Sequence, residues 1–155
     1  MHYKILKEAT FELTNEVKEI IQAIADYNSS LKQGSVSSIM NSYTEDSVLI
    51  PENLKPISGL KEIESVYQDL IKLIRFNDDS IINIIDAYIS GDLGYVRSHN
   101  THGSITEIKT GEAKLPIFRE LWILKKNKEG KWKFSIYAYG MAPQGNTNPG
   151  DAVVW

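Results

Sequence analysis

The sequence predicts an α+β fold: a cone-shaped, strongly curved antiparallel sheet wrapped around three N-terminal helices, with an internal pocket. Three observations carry that prediction. Helical periodicity is confined to the first half of the chain. β-Branched and aromatic residues punctuated by turn signals fill the second half. No repeat or low-complexity tract interrupts either. A helix layer and a sheet each bury one apolar face only against the other, and a bent sheet closed by helices makes a cone.

The first helix is read from "TNEVKEIIQAIADYNSSLKQG", where Val17, Ile20, Ile21, Ile24 and Leu31 recur at helical spacing with Tyr27 near the same stripe. Thr14 or Asn15 can cap it, Glu16 suits the positive end of its dipole, and Gly34 stops it. In "SVSSIMNSYTED", Val36, Ile39, Met40 and Tyr43 predict a short second helix opened by Ser35. "SVLIPEN" reads as a strand ended by Pro51, followed by a polar loop to Gly59. Ile63, Val66, Tyr67, Leu70 and Ile74 then line one face of a third helix.

After "NDDS" the period changes. Strands are expected near residues 81–90, 93–105, 113–126 and 131–139, joined as antiparallel hairpins through turns at "SGD", "KTGE" and "NKEG". The predicted organisation is an extension over 1–13, one domain over 14–140 and an irregular tail over 141–155. The apolar end of that tail, Val153, Val154 and Trp155, is expected to dock on this domain or on a partner.

Composition narrows the function classes. A chain of 155 residues buries about two-thirds of its unfolded surface and needs no staple. A net charge of −3, with scattered lysines and arginines, leaves no electrostatic footprint for nucleic acid or an anionic membrane. The absence of cysteine excludes disulfides, thiolate nucleophiles and cysteine-containing zinc sites. No phosphate loop, nucleophile elbow, zinc-protease motif or calcium loop is present, so no cofactor and no metal is expected. No stretch approaches the ~20 apolar residues of a membrane span, and the N-terminus lacks a signal-type core, so a cytoplasmic protein is expected.

Four phrases, "YNSSLKQGSVSSIMNSYTEDSVLIP", "ISGLKEIESVY", "SGDLGYVRS" and "RELWILKKNKEGKWKF", carry a resemblance to the nuclear transport factor 2-like superfamily. That superfamily includes the SnoaL-like and ketosteroid isomerase-like cone proteins. The resemblance runs from about residue 15 to 140 and implies an internal cavity and a homodimer through the outer sheet face. It does not imply one activity, since members include isomerases, cyclases, hydrolases, dehydratases and proteins that only bind or assemble. Steroid isomerases of this type need a carboxylate base beside the substrate carbon and two donors at its oxygen. Tyr27 falls at the position of the family's oxyanion tyrosine. The base position holds Ile50, and Glu52 two residues on is the nearest substitute. The second donor position falls near Trp122, with Glu120 on the same side if the strand is regular.

The stretch "GYVRSHNTHGS" holds two of the three histidines. On a regular strand Gly94, Val96, Ser98, Asn100 and His102 share one face, and Tyr95, Arg97, His99 and Thr101 the other. The small, apolar start of the first set assigns it to the cavity side, which makes His102 the pocket candidate and rules against a metal or acid–base pair with His99. Arg119 and Trp122 lie on opposite faces, and Tyr137 suits either a cavity wall or an interface. Three readings follow. The leading one is a protein that binds a small, largely apolar molecule, with Tyr27, Tyr43, His102, Arg119 and Tyr137 as contacts. The second is an isomerase, cyclase or hydratase in which Tyr27 polarises a carbonyl and His102 or Glu52 is the base. The third is a non-catalytic dimeric assembly module.

Overall fold

The structure, a computed structural model, describes residues 3–5, 11–99 and 103–142. A short strand, β1 (Tyr3–Ile5), comes first. Helix α1 spans Asn15–Gln33, and the Thr14 hydroxyl oxygen accepts the Val17 N–H at 3.1 Å. Gly34 ends it at φ 65°, a left-handed conformation that costs a glycine nothing. The predicted stripe, from Val17 through Tyr27 to Leu31, is buried along its length.

Helix α2 (Val36–Met40) is shorter than its stripe predicts, because Tyr43 already belongs to a strand. That strand, β2, spans Tyr43–Ile50 and pairs at Tyr43 with Phe134, while the Phe134 N–H donates to the Ser42 carbonyl at 2.7 Å. A further helical turn would forfeit this pairing, so the sheet overrides local periodicity. β3 (Ile57–Ser58) leads through Gly59 to α3 (Leu60–Leu73). Ile74, expected at the end of that helix, instead opens β4 (Ile74–Phe76).

The second half holds β5 (Ile82–Ser90), β6 (Leu93–His99), β7 (Ile105–Glu107), β8 (Ala113–Lys114), β9 (Ile117–Lys126) and β10 (Trp132–Ala142). Two expected strands are split. Of the strand read over 93–105, Leu93–His99 belong to the main sheet and Ile105 opens a strand of a different sheet. The one read over 113–126 is interrupted at Leu115 and Pro116, and proline has no N–H for a ladder. The tail beyond Ala142, including Trp155, lies outside the described residues.

The main sheet has seven strands in the order β1-β5-β6-β9-β10-β2-β3, and β4-β7-β8 form a second, small sheet. The hairpins β5–β6 and β9–β10 are antiparallel, as is β6–β9 between them. Two joints differ from the expected meander: β1 lies parallel to β5 and β10 parallel to β2. Register shifts at Ile84/Asp86 and Phe134/Ile136 mark bulges, which bend strands and increase twist. The sheet thereby curls around α1 and α3. Its inner face presents Val96, Ser98, Glu120, Trp122, Leu124 and Phe134, all buried.

The small sheet is anchored by Gly103, at φ 68°, where the Asp79 carboxylate accepts the Ser104 N–H at 2.8 Å. A Cβ on Gly103 would strike Asp79 and lie 2.8 Å from the Ser80 nitrogen; one on Gly111, at φ 71°, would meet open space. Both alanine substitutions carry the left-handed penalty of about 1–2 kcal/mol. Gly103→Ala is expected to cost at least about 1 kcal/mol more than Gly111→Ala because of the clash, measured by urea unfolding of the two variants.

Candidate functional site

Three tyrosines meet inside the cone. Tyr27 arrives from the buried stripe of α1, Tyr67 from the inner face of α3 beside Ile63, and Tyr43 from the first residue of β2; all three are buried. The Tyr67 hydroxyl lies 2.5 Å from that of Tyr27 and 2.5 Å from that of Tyr43. Tyr67 has one proton, so its oxygen accepts from at least one of its two neighbours, and the three hydroxyls form one buried hydrogen-bonded group.

The ring of Tyr27 is also the hub of an aromatic cluster, with edge-on contacts to Trp122, Phe134 and Tyr137 at centroid separations of 5.5, 5.4 and 6.0 Å. Tyr137 stacks on Trp122 at 3.7 Å with an interplanar angle of 4°. Because β9 is regular here, Glu120 and Trp122 point inward together. The Tyr137 hydroxyl donates to Glu120 Oε2 at 3.0 Å, and Trp122 Nε1 donates to Ser98 Oγ at 2.9 Å. These buried polar groups are thus paired, whereas the buried Ser47 hydroxyl has no hydrogen-bond partner among the described residues.

Burial pushes the phenols of Tyr27, Tyr43, Tyr67 and Tyr137 above their ordinary value. Neighbouring tyrosines add to the shift at Tyr27 and Tyr43, and the Glu120 carboxylate adds to it at Tyr137. All four are neutral hydrogen-bond donors at physiological pH.

Beside this cluster lies a cavity of about 90 Å³. Tyr27, Tyr67, Tyr137 and Phe76 form its buried wall, while the half-buried Val66, Leu70, Phe118 and Tyr139 frame its mouth. The space corresponds to about three water molecules. It is mainly apolar, and its polar edge consists of phenols.

The structure brings together only part of the predicted site. Tyr27 and Tyr137 line the cavity, whereas Tyr43 stands one hydrogen bond behind it. Arg119 projects from the exposed outer face and donates to the Met141 carbonyl at 3.5 Å, because inward positions on β9 fall to Glu120 and Trp122. It is not part of the cavity wall. The Glu52 carboxylate accepts the Met141 N–H at 2.8 Å, with its charge close enough to Tyr139 to help raise that phenol. His102 lies outside the described residues. Gly94, Val96 and Ser98 face inward, and His99 pairs in register with Arg119 on the other face.

Ile50 points outward at 36% exposure, and Leu49 takes the adjacent inward position, so β2 supplies no acid to the cavity. Sequence reasoning missed Tyr67 as a site residue. Its place on an apolar helix stripe is the ordinary signature of core packing, and the available signal was a third tyrosine on a face already carrying Ile63. Among the described residues no group of three acidic or histidine side chains can hold a metal, and no helix is long and apolar enough to cross a membrane.

No family model and no curated protein matches the sequence. Solved structures do match. A ketosteroid isomerase-like protein from Erwinia carotovora atroseptica superposes with a TM-score of 0.73 at 24% identity, over 84% of this chain and 100% of that one. A candidate calcium/calmodulin-dependent protein kinase II association domain from Xanthomonas campestris gives 0.68 at 19%, over 93% and 99%. A candidate dehydratase of the nuclear transport factor 2-like family from Streptomyces avermitilis gives 0.66 at 13%, over 83% and 96%. The chain has the nuclear transport factor 2-like fold. These neighbours span dissimilar roles, so the fold leaves function to the site.

Two outcomes follow for the tyrosine cluster. Tyr67→Phe breaks both hydroxyl bonds and is expected to destabilise by about 1–3 kcal/mol, more than Tyr43→Phe, as read by urea unfolding. Stability is also expected to fall in alkali. Above about pH 10 the unfolded chain releases phenolic protons that the folded chain retains, so the native state binds more protons and loses stability as pH rises. The four buried tyrosines set a limiting slope of about 5 kcal/mol per pH unit. Unfolding midpoints between pH 9 and 11 check the sign (about one unit either side of the phenol reference value).

Proposed function

We propose that this chain binds a small, largely apolar molecule at the mouth of its cone. The observation that carries this is the cleft itself: an apolar opening through Val66, Leu70 and Phe118 that ends on the phenols of Tyr27, Tyr67 and Tyr137. Known small-molecule pockets run to about 300–1,000 Å³, so this partly open space of about 90 Å³ takes only the tip of such a ligand.

Turnover is supported less well than binding. An isomerase, cyclase or hydratase needs a base within reach of the reacting proton. Glu120 accepts the Tyr137 proton, and Glu52 is engaged by the Met141 N–H. A second reading, association through the outer sheet face, draws on Tyr88, Leu93 and Leu121, which are 59%, 48% and 38% exposed beside the Arg97–Asp86 ion pair. Ligand binding and a homodimer through this face are compatible, since the cavity opens away from it. The absence of cysteine suits a reducing, cytoplasmic setting.

Native mass spectrometry of protein purified from its own host tests both at once. The expected result is a dimer carrying a low-mass apolar adduct, with the adduct lost and the dimer kept in Leu70→Trp, which fills the mouth. Protein free of any adduct, with Leu70→Trp binding the same compounds as the parent, would overturn the ligand reading.

A further inference from the structure

The cavity continues into an exposed groove whose lining differs in kind. β4 and β7 pair with Phe76 opposite Ile105 and Ile74 opposite Glu107, so these four residues lie on one face of the small sheet. Ile74 and Ile105 belong both to the cavity wall and to a second depression of about 440 Å³ that runs on along that face. Cavity and groove are therefore two parts of one path. Its outer part is floored by Leu73 and Ile108, 63% and 53% exposed, and rimmed by Lys72, Lys109 and Lys114.

The groove lining itself holds three ammonium groups and one carboxylate, Glu107, while Asp69 and Glu112 stand outside the lining. The lysines are held loosely. Lys72 stands 3.9 Å from Asp69 and Lys114 3.9 Å from Glu112, both among exposed side chains. Such pairs contribute little to stability and yield readily to a better-placed anion. An apolar floor flanked by exposed lysines, leading to an apolar cavity, matches a molecule with an apolar body and an anionic head.

We propose that the ligand of this cleft is an amphipathic anion, its apolar end in the tyrosine-walled cavity and its head among Lys72, Lys109 and Lys114. The inference rests on the ligand-binding reading above and adds the class of ligand. Along β4 the path from Phe76 to Ile74 covers about 7 Å at the rise of a strand and continues past Leu73 into the groove, a span that suits a medium-length alkyl chain.

Decanoate and decanol, titrated calorimetrically, share an apolar body and differ in the head. Decanoate is expected to bind roughly three- to tenfold tighter at low salt, an advantage that shrinks as screening increases. In the triple variant Lys72→Gln, Lys109→Gln, Lys114→Gln, decanoate is expected to fall to the affinity of decanol, with decanol unchanged. Equal affinity of the two compounds for the parent protein would overturn the anionic head while leaving the apolar cleft intact. Binding of neither would remove the ligand-binding reading itself. Sedimentation in parallel reads the rival occupant: dissociation of a dimer by decanoate would put a second copy of the chain in the groove and sink the proposal.

Discussion

Tyr27, Tyr43 and Tyr67 come from the middle of a long helix, the first residue of a strand and the centre of another helix, and their hydroxyls converge on one oxygen. Leaving hydroxyls buried this deeply unpaired is costly, so each tyrosine favours one placement of the other two. The helix layer is thereby set against the end of the sheet with a precision that apolar contact alone does not give, since apolar packing is non-directional. The aromatic rings around Tyr27 convert that point of polar registration into a wall, and the cavity is the space left where the wall meets the half-buried rim of α3 and β9.

The same logic sorts the sheet. Along β9 the alternation sends Glu120, Trp122 and Leu124 inward and Arg119, Leu121 and Lys125 outward. The inner polar atoms are paired to Ser98 and Tyr137, and the outer face keeps a mixture of exposed tyrosine, leucine and ion pairs. One strand thus divides the chemistry of the protein: hydrogen-bonded and aromatic, with one buried carboxylate, within; ion-paired and partly apolar without. A cleft that ends on neutral phenols suits ligand oxygens, while charge is dealt with at the rim.

Much of the fold was legible because its largest elements obey single periods. α1 carries its cap, stripe and terminal glycine in sequence, and the inward set Gly94, Val96 and Ser98 follows from alternation alone. What could not be read is whatever depends on a partner far along the chain. Tyr43 keeps helical spacing with Val36 and Ile39, yet its pairing with Phe134 makes it a strand residue. The break after His99 answers to a second sheet that no local pattern announces. The site shows the same limit: Tyr27 is singled out by the family resemblance, whereas Tyr67 acquires a role only when three elements meet. Arg119 is expected as a ligand contact, but the parity of β9 turns it away from the cavity.

The parallel joint between β2 and β10 has a consequence for how the chain is made. β2 finishes at Ile50, and the strand that covers its long edge begins at Trp132, so about 80 residues must be synthesised between the two. Until then β2 has only the two-residue β3 beside it, and the apolar stripe of α1 faces a sheet that lacks one of its central strands. The nascent protein therefore emerges with its inner surfaces waiting on its last hairpin, a topology of high contact order in which closure comes late. Evolution of such a chain is constrained by the translation interval as well as by the finished structure, because the segments that wait longest are the ones most in need of protection from other chains.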